Sequence, residues 1–202
     1  MCSHALDLWA QREFNSGRRV LVSSSANRER KVRMRVLAIV RAIALLSCGL
    51  MTGILFGDRM GPAFARRTMS ASSFVQQQQI IHNHYKKLLP VLSMASLAGG
   101  LGWLLLVRSQ WSTLQFWLLA SAVVAIVIAA SLTVRVNFPI NDQLITWSAA
   151  APPDNIREIW SPWEKAHTIR TILWLGAFAL EVAAWSVFAL QNADASRNQY
   201  AA

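Results

Sequence analysis

An all-α fold, an integral membrane four-helix bundle, is what this sequence predicts, and two observations carry the prediction. The composition is 54% hydrophobic and 15% charged, where about 25% charge is usual for a soluble domain. The apolar residues are also gathered into four runs, 36–56, 88–107, 114–134 and 171–190, each 20 or 21 residues long. About 20 helical residues cross a hydrocarbon core of roughly 30 Å. Little of the 202-residue chain is left to build a soluble core. Residues 1–33 read as a disordered basic tail, 34–191 as the four-span domain and 192–202 as a C-terminal tail.

The first run follows a cluster of positive charge: seven of the twenty Lys and Arg lie between Arg18 and Arg35. Nucleic-acid binding is the sharper reading of such a cluster and topology the simpler one, because Lys and Arg before a first span hold that end in the cytoplasm. No nucleic-acid partner is expected; the partner is the bilayer, with attraction to its anionic lipid. The expected setting is a bacterial cytoplasmic membrane with the N-terminus inside and two outward loops, 57–87 and 135–170. Those loops still carry nine Lys and Arg, so the charge asymmetry is incomplete. Ala63-Phe64-Ala65 resembles a cleavage site, but 21 apolar residues exceed the usual 7–15 of a signal peptide, and the first span reads as a retained anchor. Cys2 and Cys48 make no disulfide framework.

Glycines pattern the first two spans. Gly49, Gly53 and Gly57 share one helix stripe, where a second backbone can approach closely. Packing inside the bundle is the first expectation, and homodimerisation through the stripe the alternative. Ala95, Gly99 and Gly102 form a similar side in the second span. In the first loop, Ser72 or Ser73 is expected to cap a helix that runs through Phe74, Gln78, His82 and Tyr85 into the second span, with Pro90 tolerated near its start. Gln78, His82 and Tyr85 share a face. His84 lies about 200° round the helix from His82, so that pair cannot chelate one metal, and no metal site is expected.

The second loop follows the third span. Pro139 disfavours helical geometry at Phe138, and Asn141 is expected to cap a short helix over 142–147. Asp154 then caps a helix including 156–160, and a new helix restarts at Pro162 and runs into the fourth span. On it Trp163, His167, Arg170 and Trp174 sit at i, i+4, i+7 and i+11, one stripe descending from the interface into the bilayer.

That stripe is the expected site. His167 suits proton transfer, because histidine alone has an unperturbed pKa between pH 5 and 8. Arg170 suits stabilisation of a developing oxyanion. Ordinary interfacial anchoring is the plainer explanation of both. Asn137 and Asn141, with Trp163, Gln78 and His82, are the expected substrate-binding groups, with helix capping the plainer role for the asparagines. Two charges lie within the spans, Arg41 and Glu181. Each is costly there by roughly 2.5–3.5 kcal/mol on insertion scales, and both fall toward the cytoplasmic half, so a structural Arg41–Glu181 pair is expected.

The segment Gly49-Leu-Met-Thr-Gly53 with Phe56 and Pro62, then Phe74, Gln78 and Pro90, then Asn137-Phe-Pro-Ile-Asn141 with Leu144, Trp147, Trp163, His167 and Arg170, resembles the anthrone-oxygenase-like family of small four-span membrane proteins. The resemblance covers roughly 36–190, and its last group of residues is the most specific part. It implies a membrane-embedded four-helix bundle and, as in some members, oxidation of an anthrone to an anthraquinone by molecular oxygen. It implies no metal or flavin, so no cofactor is expected. In that chemistry His167 would remove an acidic benzylic proton and Arg170 would hold the resulting anion. The alternative is a non-enzymatic membrane protein that binds a lipid or quinone, or supports a partner complex.

Overall fold

The computed structural model describes the backbone of residues 2–200 and the side chains of residues 27–191, 193 and 197. The chain divides into two compact units, residues 1–39 and residues 40–202. The helix α1 (Cys2–Met60) begins within the segment that composition reads as a disordered tail. After it come α2 (Pro62–Thr68), α3 (Ala71–Leu106), α4 (Leu114–Leu132), α5 (Phe138–Leu144) and α6 (Ile156–Tyr200). Four stretches, Asn27–Thr68, Ala71–Leu106, Leu114–Leu144 and Ile156–Gln191, are long and apolar enough to cross a membrane. The protein is an all-α, multi-pass integral membrane bundle.

Why the helices associate is visible along α1 and α6, which run antiparallel. Thr52 donates its hydroxyl to the Trp174 carbonyl at 3.0 Å, and a Cβ on Gly49 would lie 3.1 Å from the Phe178 ring. Between them Cys48, Met51 and Leu55 pack with Ala122, Ile126 and Ala129 of α4 and with Trp174 and Ala177 of α6. A tighter crossing lies elsewhere, where a Cβ on Gly99 of α3 would sit 2.8 Å from the Ala44 nitrogen. Dispersion contacts rather than water exclusion drive packing in lipid, so small residues at such crossings matter. Leu46, Met94 and Ile172, each more than 60% exposed, belong to the lipid-facing surface. The glycine stripe of α1 is split: Gly49 meets Phe178, whereas Gly53 and Gly57 face open space.

Several local expectations change. The α3 cap is Ser70, which accepts from the Ser73 amide, instead of Ser72 or Ser73. The helix does run on through Pro90 into the second span. Pro139 does not break the chain out of helix: Phe138 is helical at φ −62°, ψ −51°, and α5 spans 138–144 where a helix over 142–147 is expected. A π-helical turn at Thr133–Asn137 makes this possible, with the Phe138 amide donating to the Thr133 carbonyl five residues back. The extra residue in that turn accommodates a proline that lacks an N–H, and such bulges recur at functional sites. Pro162 likewise does not start a new helix but lies inside α6, which is continuous from Ile156.

At the loop end a second cluster closes the bundle. Phe74 and Val75 of α3 pack with Ile140 and Leu144 of α5 and with Ile156, Trp160 and Trp163 of α6. Gln79 donates to the Leu144 and Trp147 carbonyls at 3.0 and 2.9 Å, satisfying the C-terminal end of α5.

Candidate functional site

Three elements converge beneath this cluster: the end of α1, the short α2 and the first turns of α6. Asp58, at the end of α1, takes a two-pronged ion pair from Arg66 of α2, with distances of 2.7 and 2.8 Å. Arg66 is 1% exposed. A planar guanidinium meeting both carboxylate oxygens is the strongest geometry such a pair offers. Arg157 donates to the Arg66 and Met69 carbonyls, both at 2.8 Å, and so pins the end of α2.

His167 stands between Asp58 and Arg170. Arg170 directs Nε and Nη2 at His167 Nδ1 from 3.2 and 3.1 Å. A guanidinium only donates, so Nδ1 accepts and the ring proton resides on Nε2. That nitrogen lies 3.0 Å from Asp58 Oδ2, close in distance but with its N–H off the line to the oxygen. Arg170 also donates Nη1 to Thr133 Oγ1 at 3.3 Å, which anchors it to the first residue of the π turn.

The aromatic stripe supports the histidine ring. His167 stacks on Trp163 with centroids 4.9 Å apart, and Trp163 stacks on Trp160 at 4.4 Å. The Arg66 and Arg170 guanidiniums lie over Trp163 at 5.6 and 5.5 Å, within the range of cation–π attraction. Asn141 accepts from Trp163 Nε1 at 2.9 Å, and Asn137 donates to the Trp163 carbonyl at 3.2 Å. Both asparagines therefore touch Trp163. Asn137 is fully buried because the π turn rotates it inward, and its Oδ1 has no hydrogen-bond partner.

The remaining expected residues separate. Gln78 is buried, with Nε2 unpartnered, one helical turn along α3 from Phe74. His82 is half-buried, with Lys86 and Asp142 as its charged neighbours, whereas those of His167 are Asp58, Arg170 and Arg66. Arg41 and Glu181 form no ion pair. The Arg41 guanidinium lies 3.7 Å from the Phe188 ring centroid and 5.1 Å from that of Trp103, whereas Glu181 adjoins Cys48 and Gly100. Seven residues separate Arg41 from Cys48 and Glu181 from Phe188, about 10 Å along each helix at roughly 1.5 Å per residue. The antiparallel register thus sets the two charges two turns apart. Among the described residues no group of three or more His, Cys, Asp or Glu is placed to hold a metal ion.

Asp58 and Arg66 join this cluster although the sequence alone did not single them out. One signal was there to read: Asp58 is the single acidic residue in the first loop, directly after an apolar span. A cavity of about 210 Å³ opens beside the cluster, lined by Arg59, Arg66, Arg67, Glu164, Lys165 and His167 among others.

The family model described as anthrone oxygenase matches residues 78–180, just over half of the chain. No curated protein and no solved structure matches it. The matched segment includes the π turn, Asn137, Asn141, Trp163, His167 and Arg170, and leaves Asp58 and Arg66 outside. On this match, together with the four apolar helices, the chain belongs to the anthrone oxygenase family.

Proposed function

We propose that the Asp58–His167–Arg170 cluster is the catalytic centre of an oxygenase acting on a lipophilic aromatic substrate at the membrane interface. The observation that carries this reading is the setting of His167: Nε2 lies 3.0 Å from an Asp58 carboxylate oxygen, and Nδ1 faces the donors of Arg170. A carboxylate behind a histidine orients the ring and stabilises the imidazolium that forms when the other nitrogen takes a proton. Arg170 vacates Nδ1 when substrate enters and moves onto the substrate oxygen; Nδ1 then removes the acidic benzylic proton, and the charge that develops meets the guanidinium. The resulting carbanion reacts with oxygen. The methylene carbon loses two hydrogens and gains one oxygen atom, and the second oxygen leaves as water, so an anthrone becomes an anthraquinone. Nothing in these steps calls for a bound metal or flavin.

Trp163 holds the histidine ring in place in this reading, and Asn137 offers one free polar group, its Oδ1, beside it. With the N-terminus in the cytoplasm, the site opens on the outer face of a bacterial cytoplasmic membrane. The test is oxygen uptake by the detergent-purified protein given an anthrone. One oxygen molecule per anthrone is expected, with about 10²-fold slower turnover in His167→Ala and Arg170→Ala, the lower range for loss of a general acid–base group. Uptake no faster than the uncatalysed background, with a lipid or quinone co-purifying, would establish the binding protein instead. Uptake unchanged in both variants would place the chemistry elsewhere.

A further inference from the structure

We propose that the cavity on the outer side of His167 is a second site adjoining the first, which binds a phosphate-class anion carried on a lipid head group or free in solution. Four cationic side chains, Arg59, Arg66, Arg67 and Lys165, line it. Arg66 is committed to Asp58, and Glu164 lies 3.8 Å from Arg66 Nε. Arg59, Arg67 and Lys165 have no carboxylate partner among the described residues. Three such cations against the one carboxylate of Glu164 leave an excess of two positive charges around a cavity of about 210 Å³.

The arrangement favours a tetrahedral anion over a carboxylate. A carboxylate saturates one arginine fork, as Asp58 does with Arg66, whereas a phosphate presents several equivalent oxygens to several donors. Arg59 and Arg67 are also held in place, since both guanidiniums lie over the Phe64 ring, at 5.8 and 5.5 Å. Phe64 and Met60 are themselves more than half exposed. Apolar side chains beside a cationic cavity at the end of a span match an amphiphile with a charged head and an acyl chain, so the phospholipid is the favoured source. The site meets the oxygenation centre only at Arg66 and His167, and none of Arg59, Arg67 or Lys165 acts in the reaction proposed above.

The test uses the full chain in detergent, with retained lipid measured by native mass spectrometry and the unfolding midpoint followed on titration. The probes are phosphatidylglycerol, phosphatidylcholine and inorganic phosphate. Phosphatidylglycerol is expected to be retained and to raise the midpoint saturably. Affinity is expected to fall about fivefold for each cation removed in Arg59→Gln, Arg67→Gln and Lys165→Gln. The control Arg108→Gln, beyond the far end of α3, leaves it unchanged. Protection by inorganic phosphate alone that is lost in the same variants assigns the site to a free anion. Equal retention of phosphatidylglycerol by the wild type and the triple variant, or of phosphatidylcholine and phosphatidylglycerol by the wild type, overturns the proposal. If the triple variant does not fold, the exposed Arg67→Gln and Lys165→Gln carry the comparison singly. Because retention is read without turnover, its failure is distinct from failure of the oxygenase reading.

Discussion

Asp58 and His167 come from the ends of the first and the last span and meet with Oδ2 3.0 Å from Nε2. The same carboxylate neutralises Arg66, which has almost no contact with solvent. Removing one partner of a buried pair costs about 3–5 kcal/mol, whereas replacing both with apolar groups of similar volume can be neutral. Asp58→Ala is therefore expected to lose stability in that range, and Asp58→Leu/Arg66→Met to recover most of it, measured by denaturation in mixed detergent. On the proposed mechanism the double variant should remain inactive, because His167 loses the carboxylate that lies 3.0 Å from its Nε2. Equal stability of the single and double variants would refute the pairing argument.

Trp163 is held by Asn141 through its indole N–H and is the surface on which His167 stacks. Asn141→Leu removes the acceptor and is expected to destabilise the protein by about 1–2 kcal/mol, the cost of a buried donor left unmade. Trp163→Phe removes the donor but keeps an aromatic face. In a double-mutant cycle the two changes should couple by at least about 0.5 kcal/mol, as contacting residues do. Simple additivity would mean that the bond contributes nothing.

Gly99 and Gly53 make opposite predictions from the same residue type. A side chain at Gly99 meets the Ala44 backbone, while nothing lies within 4 Å of a Cβ at Gly53. Gly99→Val should cost on the order of 1–3 kcal/mol or more, the range for overpacking, and Gly53→Ala should leave stability unchanged. Thermal unfolding in detergent separates them. A destabilising Gly53→Ala accompanied by loss of a dimer on a sizing column would instead point to the α1 stripe as an interface between copies.

Arg41 and Glu181 are set two turns apart by helix register, each with its own neighbours. Exchanging the two charges should therefore not rescue the single changes, and the coupling between Arg41→Met and Glu181→Gln should stay under about 0.5 kcal/mol. A charge-swapped protein more stable than either single reversal would restore the ion pair that the depth of the two residues in their spans suggests.

The four spans and the stripe of Trp163, His167 and Arg170 were legible in the sequence. Both follow from single-segment physics: about 20 apolar residues suffice to cross a bilayer, and helical spacing places i, i+4 and i+7 on one face whatever surrounds them. What lies opposite that stripe was not legible. Asp58 faces His167 only because α1 and α6 run antiparallel in one particular register, and Arg66 reaches Asp58 only because α2 folds back toward the end of α1. The same register that joins Thr52 to Trp174 parts Arg41 from Glu181. Asn137 turns inward through a π-helical turn that local propensity around Pro139 argues against, since Phe138 was expected to leave the helix. Sequence fixes what each helix can present; the side-chain packing between helices decides which of those faces meet.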